Sequence, residues 1–524
     1  MKIYTSNTIF LTMFLILGFS SCQDISEEKS ELDQKIDDSV EAIIQSIPEI
    51  TFPDRSINLI EYSGHKPDMA GSYNFQPLLN KAIDELSKQG GGTIYFPHTL
   101  GPKAWVKETD IYRMDGPINL KSNIRLMLAS GTKIKFTFNP KNYLNNGKGV
   151  ITRWEGVSIK SFSPLVRAFN VENIAIVAET LKGTAPVIDG DGEKWQHWYR
   201  QDLAEDHKLV LHRLCDTDVK LADREFTDIK KDFYRPFLME FYLSKNILID
   251  GVKLTNTPFW TVHPVFSENV TVRNVVFDVN VVNSDGVDPE SSHNVLIENC
   301  MFNNHDDNVA IKSGRNKEGR EGVDISGTEL EGIQSKFIKG NKIYGATENV
   351  VVRNCILKGH HAICIGSEVA GSVRNVYALD NIGVQNVKFG LYIKSSPERG
   401  GVVEDIYIRN MHLNHAKMGA VLNPCYSKNL VDTTHFPLFR NIYIKNMTIN
   451  HAYRGGIEVA GWPQLPMENI HLENIEIKHL DKGSELDVRI HNSKNVILKN
   501  VKINQIEFNG DYSDESGEKP TGRT

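Results

Sequence analysis

Between Asn283 and Gly314 the chain reads NSDGVDPESSHNVLIENCMFNNHDDNVAIKSG, which sets Asp285 21 and 22 residues ahead of the neighbouring pair Asp306 and Asp307. Three carboxylates around one short strand suit the hydrolysis of a glycosidic bond. One carboxylic acid must protonate the leaving oxygen while a carboxylate on the other side activates water. Crowding supports that division of labour, because neighbouring carboxylates raise one another's pKa and one can stay protonated while another ionises. His360 and Lys394 lie further on, and Lys312 follows the aspartate pair. Each residue alone has a simpler reading. Asp285 and Asp288 are good turn residues, Asp306–Asp307 suits a loop cap or a calcium ligand, and His360 suits an ordinary surface histidine. Their case as a site depends on a scaffold that stacks them.

The scaffold is written in a repeat. Asn246-Ile-Leu-Ile-Asp, Asn269-Val-Thr-Val-Arg-Asn, Asn294-Val-Leu-Ile-Glu-Asn and Asn349-Val-Val-Val-Arg-Asn share one pattern, and copies begin again at Asn375, Asn441, Asn469 and Asn495. The leading asparagines of the first five copies are 23, 25, 55 and 26 residues apart, and the last three are 28 and 26 apart. Short β-branched strands at a period of this size mark a solenoid. Neither a 3.6-residue pattern nor leucine-rich spacing recurs within the repeats, and a β-sandwich would not explain so constant a period. The fold class expected is therefore all-β, a right-handed parallel β-helix, each coil burying Val and Ile inward and its asparagines bonding along the stack. Upstream, Phe75, Leu78, Leu79, Ala82, Ile83 and Leu86 recur at helical spacing before Gly90-Gly91-Gly92, a short N-terminal capping helix. Counted from each leading asparagine, Asp285 lies at 16, Asp306 and Asp307 at 12 and 13, His360 at 11 and Lys394 at 19. Similar offsets on successive coils should stack about 4.8 Å apart, which gathers the set onto one wall.

Two stretches interrupt the period: Asp191 to Pro236, charged and aromatic-rich, and an insertion from Arg315 to about Glu348. Long loops of this kind tend to be functional. With 59 basic and 66 acidic residues the net charge is -7, which implies no general attraction to nucleic acid. An apolar run, Ile9 to Phe19, follows Lys2 and ends at Ser20-Ser21-Cys22, a secretory signal with lipidation of Cys22 expected. The organisation expected is a lipoprotein signal peptide at 1–22, an acidic tether at 23–48, a catalytic β-helix at 49–510 and a polar tail at 511–524. This describes an exported lipoprotein held to an outer membrane, on its periplasmic or cell-surface face, by a lipid anchor. The other cysteines, Cys215, Cys300, Cys355, Cys364 and Cys425, are irregularly spaced without a CxxC, and read as buried small hydrophobes rather than a disulfide or zinc framework.

Asn283-Ser-Asp285-Gly, Asp306-Asp307 followed by Ala310-Ile-Lys-Ser-Gly314, Gly359-His360, Ile365-Gly-Ser-Glu368 and Ile393-Lys394 resemble, in order, the motifs of the polygalacturonases, the family 28 glycoside hydrolases. The resemblance spans roughly Ser72 to Asn450. It implies an inverting hydrolase of α-galacturonosyl links in pectin, an anionic plant cell-wall polysaccharide, working without a metal or other cofactor. Carried over, Asp306 is the general acid, Asp285 and Asp307 activate water, His360 supports the acid and Lys394 binds the galacturonate carboxylate. Tyr392, Lys312, Arg315 and His361 complete the substrate-binding set.

Three positions depart from the family pattern. Gly-His-Gly reads Gly359-His360-His361, Arg-Ile-Lys reads Tyr392-Ile393-Lys394, and the cysteine after the aspartate pair is Asn308. The lost arginine removes a charge-assisted grip on an acidic sugar and raises rhamnogalacturonan or a pectin side chain as the alternative substrate. The two long interruptions suggest exo action. Two further classes compete: a calcium-dependent pectate lyase, and a glycan-binding β-helix without activity. Three retained aspartates argue against the last, because binding alone needs no water-activating pair.

Overall fold

The computed structural model describes residues 30–99, 110–205, 207–385, 387–426, 434–483, 486–515 and 517. Within them the chain winds into a right-handed parallel β-helix. Its longest inward row pairs Ile94 with Leu126, then Ile176, Ile249, Val272 and Ile297. The same row continues through Val352, Ala378, Ile408, Ile444 and Leu472 to Leu498, one residue per coil. All twelve side chains are buried. The stack exists because a β-branched or aliphatic residue recurs at one register position, so each coil covers the apolar face of the one before.

Leading asparagines turn the chain into most of these strands, with Asp405 in that place before Ile408. Asn123, Asn173, Asn246, Asn269, Asn294, Asn349 and Asn375 all take left-handed backbone angles, φ from 54° to 62°. Asparagine tolerates that region better than other non-glycine residues. Its amide both donates and accepts, so each Nδ2 donates to the Oδ1 of the coil before. These bonds, 2.8 to 3.1 Å long, run unbroken from Asn375 back to Asn123.

Both ends of the stack are covered. The expected capping helix is Gln76–Lys88, with Leu79, Ala82, Ile83 and Leu86 buried. At the far end Ile506–Asp514 folds back antiparallel on Ser493–Ile503, which pairs an otherwise open sheet edge. The strand therefore continues into the stretch expected to be a polar tail, as far as Asp514. A larger correction concerns the acidic tether. Glu31–Ser46 is an α-helix, in which the Asp33 N–H donates to the Ser30 hydroxyl at 3.2 Å and Ile36, Val40 and Ile43 are buried. Spacing of i, i+4, i+7 prevailed over a composition that looked too polar to fold. Cys22 and the apolar run before it lie outside the described residues. No helix among the described residues is long and apolar enough to cross a membrane.

The two interruptions are folded. Gln196–Glu205 and His207–Leu214 are helices, and Trp195 and Trp198 are buried against Phe138 and Phe162. The insertion begins with the helix Asn316–Glu321 and adds a small antiparallel sheet of Val323–Asp324, Lys342–Ile343 and Ile338–Lys339. The five cysteines from Cys215 to Cys425 are buried thiols.

Candidate active site

The wall that carries the aspartates is built on one inward row. Val262, Val287, Val309, Ile363 and Leu391 follow one another coil by coil. Asp285, Asp307 and His361 each stand two residues ahead of a member of that row, and the backbone confirms the alignment. The Gly286 N–H donates to the Asp307 carbonyl at 2.9 Å, and the Asn308 N–H to the His361 carbonyl at 3.0 Å. Asp306 and His360 occupy the next position back. Further along the wall, Lys312 and Lys394 stand three residues after Val309 and Leu391. The structure thus brings together every catalytic residue expected from sequence. It changes one relation: His361, not His360, shares a rung with Asp285 and Asp307.

Asp307 is the most tightly held of the three aspartates. Lys394 Nζ donates to its Oδ2 at 2.9 Å, and His361 Nδ1 bonds its Oδ1. Burial alone would protonate this carboxyl, yet the Lys394 charge and the two imidazoles outweigh it and hold Asp307 well below the usual carboxylate range. Burial pushes His361 down to about 3 against the pull of Asp307. The neutral ring therefore serves as an Nδ1–H donor and Lys394 as the balancing charge.

Asp285 has the opposite character. Burial first, then the charges of Asp288 and Asp306, push its carboxyl well above its ordinary value, although Lys312 pulls the other way. Asp288, wholly buried and 3.5 Å from Lys312 Nζ, is raised to about 7, again chiefly by burial. Neighbouring rungs therefore pull in opposite directions, Asp307 toward its ionised form and Asp285 with Asp288 toward the protonated form. The resemblance gives water activation to both Asp285 and Asp307; the surroundings favour the ionised state only for Asp307.

Asp306 is the accessible member, its side chain 26% exposed, beside His360 at 29% and 3.4 Å away. Its Oδ1 accepts the Asp307 N–H at 3.1 Å, and its Oδ2 lies 3.5 Å from Asn283 Nδ2. Asn283 is in turn fixed by Arg235, which donates to Asn283 Oδ1 at 2.7 Å from the last residues of the 191–236 interruption.

The residues expected to grip substrate are mostly engaged with one another. Lys312 sits within 3.9 Å of Asp285, Asp288 and Glu368 and 4.4 Å from the centre of the Trp260 ring. Arg315 is buried between Glu368 at 2.8 Å and Glu155 at 3.6 Å. It holds the Gly156 turn of the Val150–Ser161 hairpin, not open solvent. Burial works against ionisation of Glu368, but Arg315 and Arg399 bring its carboxyl down to about 2. Tyr392 is 1% exposed, packed between the His361 ring, 4.9 Å away, and the Lys394 ammonium, 5.3 Å away. Of the expected substrate-binding set, Lys312, Arg315, His361 and Lys394 each stand against a carboxylate, and Tyr392 packs beside His361 and Lys394. Asp288, Glu368 and Glu155 are the partners that sequence reasoning passed over. Asp288 had a signal, three residues after Asp285 in the same motif; Glu155 had none.

The family model for glycosyl hydrolases family 28 matches residues 152–488. A probable polygalacturonase of Vitis vinifera is 30% identical over 446 residues, 82% of this chain and 77% of that protein. The chain belongs to glycosyl hydrolase family 28. It is a glycoside hydrolase, and the calcium-dependent lyase and the inactive binding platform fall away with that membership. An endo-polygalacturonase of Pectobacterium carotovorum subsp. carotovorum is 26% identical over 326 residues, 60% of this chain and 66% of that one. Among solved structures, the hyperthermoactive exopolygalacturonase of Thermotoga maritima superposes with a TM-score of 0.75 at 30% identity, over 92% of this chain and 99% of its own. The polygalacturonase of Erwinia carotovora ssp. carotovora shares the fold, with a TM-score of 0.56 at 20% identity over 85% of this chain and 97% of its own. The family match begins at Thr152, inside the hairpin that Arg315 holds.

Proposed function

We propose that this family 28 enzyme hydrolyses α-linked galacturonosyl bonds of pectin with inversion, working from chain ends. The observation that carries the proposal is the meeting of carboxyls in opposite surroundings on one wall: Asp307 clamped by Lys394 and His361, which favours its ionised form, and Asp285 buried beside Asp288, which favours its protonated form. Acid–base cleavage of an acetal needs this inventory, one carboxylic acid and one carboxylate. Exposure assigns the roles. Asp306 is the carboxyl that a glycosidic oxygen can reach, so it delivers the proton to the leaving group, the general-acid role that the resemblance implies. Asp307 takes a proton from the attacking water, with Asp285 alongside. His360 stands beside Asp306, as the resemblance implies.

The substrate and chain-end parts are supported by the names of the relatives at 30% identity, a probable polygalacturonase and an exopolygalacturonase. The folded interruptions that hold Asn283 and Glu155 support exo action as walls beside the catalytic set. A second reading, rhamnogalacturonan or a pectin side chain, draws on Tyr392 where the family pattern has an arginine. Product chromatography on polygalacturonic acid and on rhamnogalacturonan, with wild type and Asp306→Asn, decides between them. Free galacturonic acid from polygalacturonate at early times, absent with the variant, is expected. A ladder of oligomers refutes exo action, and product from rhamnogalacturonan alone moves the substrate to the second reading. Proton NMR of the first product anomer tests inversion. The leader and Cys22 carry the accompanying proposal of a lipid-anchored, exported enzyme, tested by metabolic labelling with a radioactive fatty acid in wild type and Cys22→Ala.

A further inference from the structure

Away from the catalytic wall, toward the C-terminal end of the stack, three imidazoles stand on consecutive coils. His415 is in register with His451, and the bridge between Ala452 and Leu480 carries the same register to His479. The ring centres are 5.5 Å and 5.0 Å apart. Asp481, two residues beyond His479, turns back into the row. Its Oδ1 lies 2.8 Å from His451 Nε2 and 3.2 Å from His479 Nε2. The backbone beneath is fixed, because the Ala452 N–H donates to the His479 carbonyl at 2.8 Å and the Asp481 N–H to the Ala452 carbonyl at 3.1 Å. None of these residues belongs to the acid–base machinery.

We propose that His451, His479 and Asp481 form a binding site for a divalent transition-metal ion of the zinc type. Two imidazole nitrogens and one carboxylate oxygen make the borderline donor set that zinc, copper, nickel and cobalt prefer over magnesium or calcium. The spacing suits it too. Ligands about 2.1 Å from a tetrahedral ion lie about 3.4 Å from one another, so the pairs at 2.8 Å and 3.2 Å need to open by about 0.6 Å and 0.2 Å. The side chains are 33%, 64% and 42% exposed, so an ion loads directly from solution. Water or His415 completes the coordination.

The ion would join the coil of Leu438–Ala452 to the turn at residues 478–481, fastening the C-terminal coils to one another. Its effect is on stability, because ligand binding to the folded state alone raises the melting temperature. Without metal, the same contacts are two imidazole N–H donors on one carboxylate, and experiment separates the two. Asp307, His360 and His361 also bring donor atoms within 4.8 Å of one another, so the control must discriminate between the clusters.

Zinc chloride is titrated calorimetrically into the full chain as wild type, His451→Ala/His479→Ala and His360→Ala. The expected result is one equivalent bound by wild type and by His360→Ala, with affinity about tenfold or more weaker in the double variant. Zinc should raise the melting temperature of wild type and His360→Ala but not that of the double variant. Asp481→Asn, which keeps the side-chain shape, should weaken binding in the same direction and covers the case of a misfolded double variant. No binding by wild type overturns the proposal, as does binding that survives in the double variant or disappears only in His360→Ala.

Discussion

Replacing Lys394 by Met tests the electrostatic core of the site. The ammonium and the Asp307 carboxylate are 2.9 Å apart with side chains 8% and 2% exposed. At an effective dielectric constant of 20 the pair attracts by roughly 6 kcal/mol. Removing one partner of a buried pair typically costs about 3–5 kcal/mol, because the other charge stays behind uncompensated. The cost should depend on pH in a definite direction. In wild type the Asp307 carboxyl is held below its unfolded value, near 3.9, so its contribution is present above that value and is lost as pH falls through the folded pKa. In Lys394→Met, burial is left without its main opponent and pushes Asp307 above the unfolded value. The variant then carries a destabilising charge at pH 7 and sheds it by protonation as pH falls. The stability gap is largest near neutrality and narrows toward pH 4. For a chain of this length, each kcal/mol moves the melting temperature by about 2 °C or less, so the difference at pH 7 should be on the order of 5 °C. Thermal unfolding of both proteins between pH 4 and 7.5 measures it. The acid limb of kcat/KM should move to higher pH in the variant, because the proposed base ionises later. A gap that stays constant with pH, or an unmoved acid limb, refutes the assignment of Asp307 as the clamped carboxylate.

Three further outcomes follow from the same geometry. Asp288→Asn removes a charge that raises the Asp285 carboxyl, so any limb of kcat/KM that Asp285 governs should move to lower pH; a pH–rate profile checks it. Tyr392→Arg rebuilds the family's arginine in a slot 1% exposed beside Lys394. It should lower the melting temperature and leave KM for polygalacturonate no better than wild type. Asn294→Ala loses the amide bonds to Asn269 and Asn349 and leaves alanine at φ 56°. A stability loss of about 1–3 kcal/mol is expected, read by thermal unfolding with activity retained.

How much of this was legible in the sequence depended on where the counting began. The repeat of leading asparagines gave the solenoid directly, because one residue type meets both demands of the turn, a left-handed backbone and a bond to the next coil. The same asparagines were a poor origin for the site. Turn lengths differ between coils, so offsets of 16, 13 and 11 did not distinguish His360 from His361. Counted instead from the inward row Val287, Val309 and Ile363, Asp285, Asp307 and His361 all fall at minus two. Register is kept by the residues that must be buried, not by those that turn, and an inward valine is the better ruler. The charged residues were harder for a different reason. Lys312 and Arg315 looked like cations waiting for an acidic sugar because their partners, Asp288, Glu368 and Glu155, lie on other coils or in the hairpin before the interruption. A cation on the wall of a solenoid meets the carboxylates of neighbouring coils before it meets substrate, and burial makes that pairing compulsory. The tether failed by the converse rule, composition outweighing pattern: Ile36, Val40 and Ile43 make a helical stripe that the average acidity of the segment conceals. On this wall Asp306 and His360 keep their exposure, while Lys312, Arg315 and Lys394 are buried against the carboxylates they hold.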